Sequence, residues 1–200
     1  MKRKILLINI ILLCLIIIAC GGAKKNYEKV KQVNTIQSYE AFIQQYSKSN
    51  YVNEAKEKLD SLYFIGLRSN DLKQRLLYIR LLYPKGKDAV SILLKALKDT
   101  NANCRWSAAG ALALIGQSAK EALPLLQSVM YEDSDQAVID ISQLAVSLIS
   151  NNSLIHPPKY VRLTTSSKPG DLVIKAPYEK VLIFLAGGKC DVRDLILSIE

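Results

Sequence analysis

Two segments of the chain repeat each other, and that repetition limits the architecture more than any other feature. DTNANCRWSAAGALALIG begins at Asp99, and DSDQAVIDISQLAVSLIS begins at Asp133, an offset of 34 residues. At this offset Asp99 falls on Asp133, Asn101 on Asp135, Cys104 on Val138, Ala111 on Ala145, Leu112 on Val146 and Ile115 on Ile149. An apolar helical stretch precedes each copy, AVSILLKAL before the first and EALPLLQSVM before the second. A period of this length means stacked helical units that bury their apolar faces against one another. A degenerate third copy runs upstream from Arg75 through Ile79 and Leu82 to Gly86.

Each residue type has a local reason. Ala108 and Ala109 let neighbouring helices approach closely, while Leu112 and Ile115 fill the shared core. Asp99 or Asn101 can cap the helix that follows. Gly116 suits a left-handed stop, and Pro124 lies near a helix start, where proline is tolerated. Arg105 is expected to reach an acidic or carbonyl group of the adjacent repeat. Trp106 should point away from the main core stripe, either as a partner-binding anchor or packed on a neighbouring helix. Asp133 and Asp135 are further partner-binding candidates, beside Glu132 and Asp140, although the alignment also explains them as turn and cap residues.

The unit resembles a HEAT repeat of the short, lyase-like type, on Asp99, Asn101, Arg105, Ala108, Ala109, Leu112, Ile115 and Gly116. The second copy departs from that pattern, with Ile139 for the arginine and Ser142 and Gln143 for the alanines. The resemblance implies two to three repeats over 69–150, an α-solenoid surface for protein partners, and no catalytic residue of its own.

TIQSYEAFIQQYSKSNYVNEAKEKLDSLYF, from Thr35, carries a second helical signal. Ile36, Tyr39, Phe42, Ile43 and Tyr46 share one face, and Val52, Ala55, Leu59 and Leu62 or Tyr63 share another, across a polar break. This predicts a helical hairpin. It resembles a tetratricopeptide-like unit on Tyr39, Phe42, Tyr46, Ser49, Tyr51, Ala55 and Leu59, with Ser47 where that family has proline.

The N-terminus bears on compartment. Lys2, Arg3 and Lys4 precede an apolar run from Ile5 to Ile18, interrupted by Asn9. As a helix the run is about 21 Å long, short against a hydrocarbon core of roughly 30 Å, and suited to a secretory signal. Ile17, Ile18, Ala19 and Cys20 resemble the lipobox of bacterial lipoproteins. The resemblance implies cleavage after Ala19, diacylglycerol on the Cys20 thiol, and residence outside the cytoplasm. Gly21, not Asp, follows the cysteine, which by the sorting rule of such families favours the outer membrane if the cell has one. The alternative is an uncleaved anchor with an incidental cysteine.

Loss of residues 1–19 would remove three cations and no acid, taking the net charge from +9 to +6. Export argues against nucleic acid as the partner. Lys24, Lys25, Lys29 and Lys31 could meet anionic lipid headgroups or acidic glycan, or simply form a solvated face. Cys104 and Cys190 either pair, as an oxidising compartment allows, or pack as buried thiols.

No active site emerges. His156 is the one histidine, and with two remaining cysteines it makes a zinc cluster improbable. Gly187-Gly188-Lys189 lacks the earlier glycine and following hydroxyl residue of a phosphate loop. The acidic group at 132–140 lacks the glycine and final glutamate of a calcium loop. The expectation is a non-enzyme with no metal, no cofactor beyond the lipid on Cys20, and no small-molecule substrate.

The expected organisation is a signal peptide at 1–19, a lipidated tether at 20–32, the helical hairpin at 33–68, the repeats at 69–150 and a C-terminal segment at 151–200. The fold class is all-α, a helical-hairpin and HEAT-like α-solenoid with a tail that is partly β. In that tail, Lys168-Pro169-Gly170-Asp171 suits the turn of a β-hairpin. YEKVLIFLAGGKCDVRDLILSIE reads as two terminal helices, or a broken last repeat echoing Cys104-Arg105 at Val192-Arg193.

Overall fold

A computed structural model describes residues 22–151, 156–163, 172–188 and 196–199. The lipobox and Cys20, the proposed β-turn at 168–171, and Cys190 with the Val192-Arg193 echo all lie outside the described residues. The fold is an all-α, HEAT- and tetratricopeptide-like helical-repeat fold with a short C-terminal β element. The chain divides into two compact units, the first ending at Tyr63 and the second beginning at Phe64.

The first unit holds α1 (Ala23–Val33), α2 (Ile36–Gln45) and most of α3 (Val52–Leu67). Between α1 and α2, Asn34 takes a left-handed conformation, and Thr35 then caps α2 reciprocally with Ser38. Tyr27, Val30, Tyr39, Phe42 and Ala55 form the buried core, with Ile43, Tyr46, Tyr51 and Leu59 packed against it. The Tyr27 ring lies 5.2 Å from Phe42 and stacks at 5.1 Å on Tyr51, within the range at which aromatic pairs gain beyond their buried area.

This corrects the expectation of a polar tether over 20–32. Most of that stretch is helix α1, whose Asn26, Tyr27 and Val30 are buried. Only two apolar anchors are needed, because Tyr27 supplies a large buried area and Asn26 donates to the Tyr46 hydroxyl.

The second unit takes up the last turn of α3 and continues with α4 (Leu72–Leu82), α5 (Val90–Ala96), α6 (Ala102–Ile115), α7 (Leu123–Glu132) and α8 (Gln136–Ser150). One side-chain acceptor caps each of the helices α4, α6 and α8. Asp71 accepts from Lys73 N–H, Asn101 from Cys104 N–H, and Asp135 from Ala137 and Val138 N–H. These three helices pack side by side with α6 in the middle, while α5 rests on α6 and α7 on α8.

Tight 3₁₀ stretches at Tyr83–Ala89 and Gly116–Ala122 link one unit of the stack to the next. Gly86 (φ 56°, ψ −128°) and Gly116 (φ 64°, ψ −139°) take almost the same conformation there. A Cβ at either position would meet nothing within 4 Å. Glycine is therefore required by dihedral preference, not by space.

The terminal element comprises β1 (Tyr160–Arg162), β2 (Leu172–Pro177), α9 (Tyr178–Ala186) and β3 (Ile196–Ile199). The strands form one antiparallel sheet with β2 central; Val161 faces Ala176, and Ile174 faces Leu197. β1 and β2 thus pair as the hairpin reading expects. Residues 196–199, expected as the end of a helix, are instead β3. The edge of β2 that β1 does not pair offers backbone donors and acceptors, and the apolar, β-branched β3 satisfies them.

Candidate functional site

The most ordered polar feature of the second unit is a ladder of arginines and aspartates along the repeat turns. Arg105 Nε and Nη2 each donate to Asp133, at 2.6 and 2.8 Å. Its Nη1 donates to the carbonyls of Asp99 and Thr100 at 2.8 and 3.0 Å. One guanidinium therefore holds its own repeat's turn and the next repeat's acid together. Arg68 treats Asp99 similarly, with Nε and Nη2 at 2.9 and 2.5 Å from one carboxylate oxygen.

The upstream copy keeps half of this pattern. Arg75 Nη1 donates to the carbonyls of Ser69 and Asn70, as Arg105 does to those of Asp99 and Thr100. No carboxylate among the described residues completes it; the guanidinium lies 5.4 Å above the Trp106 ring. Burial lowers the Arg75 pKa, and among the described residues its Nε has no hydrogen-bond partner.

These contacts decide where the three proposed partner-binding residues stand. Trp106 is fully buried. Its indole N–H donates to the Arg162 carbonyl at 2.9 Å and so ties β1 to the repeats. That fits the packing alternative and corrects the binding-anchor one, since a buried ring is not presented to a partner. Asp133 is gripped by Arg105 with its side chain only 5% exposed, and it also accepts from Asp135 N–H. Asp135 is a buried helix cap. Neither acid offers a free carboxylate at the surface; the turn geometry that makes them conspicuous in sequence also consumes them.

Burial raises the Asp135 pKa, against the pull of its two backbone donors. Burial also raises that of Asp140, which receives hydrogen bonds from Gln136 and Arg162 N–H. For Asp99 burial acts in the same direction, but the Arg68 and Asn101 hydrogen bonds prevail and its pKa is lowered. The Cys104 thiol is free, buried and pushed up to about 12, chiefly by burial, which makes it an inert core group. His156 is exposed, and its carbonyl accepts from Gln143.

A second clasp escaped sequence reasoning. Arg80 Nε and Nη2 donate to the Leu185 and Phe184 carbonyls at 3.1 and 2.7 Å, closing the C-terminus of α9. With Trp106 and the Arg162–Asp140 pair at 3.6 Å, it docks the terminal element onto α4, α6 and α8. No local pattern signals this, because the partners lie about a hundred residues apart.

The repeat side that remains open carries α5 and α7, where Tyr131 is 78% exposed; Ile65, Leu77 and Ile183 are further exposed apolar side chains. A small cleft of about 130 Å³ lies among Leu72, Leu163, Ile174, Ala176, Val181 and Phe184. Among the described residues there is no group of acids, histidines and cysteines arranged to hold a metal, and no helix long and apolar enough to cross a membrane. The described residues form a scaffold without a metal-binding, disulfide or catalytic cluster.

No curated protein and no solved structure matches the chain. A family model described as HEAT repeats matches residues 65–147, so from the end of α3 to the last turns of α8 the chain is similar to HEAT repeats.

Proposed function

We propose that this protein is an envelope lipoprotein, held at the membrane through Cys20, whose repeat stack serves other proteins as an adaptor or scaffold. The observation that supports the adaptor role most is the stack itself. Repeat units whose turn acids and arginines are held within the stack leave outward faces free for partners, and here α7 presents the exposed Tyr131. The anchor rests on Ile17-Ile18-Ala19-Cys20. Two or more acyl chains would make attachment stable, outside the cytoplasm and at the outer membrane where one exists.

The test is site-specific photo-crosslinking in cells, with probes at Tyr131, Leu77 and Ile65, in the unaltered chain and in Cys20→Ser. A discrete protein adduct from the unaltered chain, lost in Cys20→Ser together with membrane attachment, is the expected result. Unchanged processing and attachment in Cys20→Ser would remove the anchor, and no protein adduct from any probe would remove the adaptor.

A further inference from the structure

Helix α1 divides its circumference sharply. At 3.6 residues per turn, Lys31, Lys24, Glu28, Gln32, Lys25 and Lys29 follow one another over roughly 160° of arc. Asn26, Val30 and Tyr27 occupy the opposite arc and are buried. Lys24, Lys25 and Lys31 are exposed, and Lys29 is half-buried. The acid in the arc, Glu28, is turned onto Lys31 at 2.8 Å. Since Tyr27 is wedged between Phe42 and Tyr51, the helix cannot roll, and the basic arc keeps one direction in the first unit.

We propose that this lysine arc is a docking surface for the anionic phospholipid headgroups of the membrane. It rests on the reading that Cys20 carries the lipid. Ala23 begins the helix three residues after Cys20, no more than roughly 11 Å along the chain. The glycerol of a lipid on Cys20 would sit at headgroup level, so Lys24 and Lys25 would stand about one Debye length from the surface, where screening is incomplete. The anchor supplies proximity, and the cations then select which face of the first unit turns down.

The acylated full-length product is purified from cells and reconstituted into vesicles of phosphatidylcholine alone or with about a third phosphatidylglycerol, a surface that attracts basic segments. Lysines are labelled with an impermeant amine reagent and read by mass spectrometry. Labelling of Lys24, Lys25 and Lys29 should fall several-fold in the anionic vesicles and recover in molar salt, while Lys56 and Lys58, exposed on α3, react equally in both. Equal labelling of the α1 lysines in both vesicles would overturn the proposal. So would protection by a soluble acidic polysaccharide but not by vesicles, in favour of glycan. The mass of the N-terminal peptide reports acylation separately. A peptide without lipid would refute the anchor, and co-sedimentation of that protein with the two vesicle types would still decide the docking surface by charge alone.

Discussion

Arg105 joins two repeats with one side chain, and its partner has almost no access to water. Removing it strands Asp133, whose side chain is 5% exposed. Arg105→Ala should therefore cost about 3 kcal/mol or more, as loss of one member of a buried pair does, read from urea denaturation. The double variant Arg105→Ala, Asp133→Ala should cost less than the two singles combined. Arg68→Ala should cost less, about 1–3 kcal/mol, because Arg68 is half-exposed while the Asp99 it leaves behind is 4% exposed and keeps the Asn101 N–H. Asp99 gives a pH test. Its folded pKa lies below the ordinary 3.8, so it contributes stability that is present above that value and lost as pH falls through the lowered one. Asp99→Asn should flatten the acid limb of the stability curve below about pH 4. An unchanged acid limb would show that the Arg68 pair contributes nothing.

At the scale of elements, Trp106 couples the repeats to the sheet. Trp106→Phe keeps most of the buried ring but deletes the donor to the Arg162 carbonyl, at a cost of about 1–3 kcal/mol for the orphaned acceptor. Amide exchange should quicken in β1 and β2 while α6 and α7 keep their protection. Gly66 marks a close approach of another kind. A Cβ there would stand 2.1 Å from the Tyr78 ring, so Gly66→Ala should destabilise by about 1–3 kcal/mol despite alanine's better helix propensity.

The repeat helices were legible because their signals are local: Asp71, Asn101 and Asp135 cap α4, α6 and α8, and Gly116 ends α6. Helix α1 has Ala23, Tyr27 and Val30 at helical spacing, but its lysine-rich composition reads as a polar tether, and a buried asparagine completes its inner face. β3 was missed because its pairing with β2 is non-local, and a short apolar run fits a buried helix as well as a strand. The partner-binding candidates misled for a related reason. Acids and a tryptophan in a repeat turn look like a surface from sequence, whereas Arg105 and Arg162 turn them into contacts within the second unit.

For the whole molecule, the terminal element lies on α4, α6 and α8, which leaves α5 and α7 as the open repeat helices. Tyr131→Glu should change stability by less than about 0.5 kcal/mol, as exposed substitutions do. It should nevertheless abolish the adduct from a probe at Leu125 or Gln127 on α7 if partners use that face; an undiminished adduct would shift the binding face elsewhere. The two linker glycines carry a final consequence, one of handedness. Inverting the signs of the Gly86 and Gly116 dihedrals gives about −56°, 128° and −64°, 139°, ordinary extended backbone for an L-residue. Both turns thus ask for the mirror-image amino acid. L-Alanine at either site should strain the chain, whereas D-alanine introduced by semisynthesis takes these dihedrals without strain and should stabilise by roughly 0.4–1 kcal/mol by narrowing the unfolded ensemble.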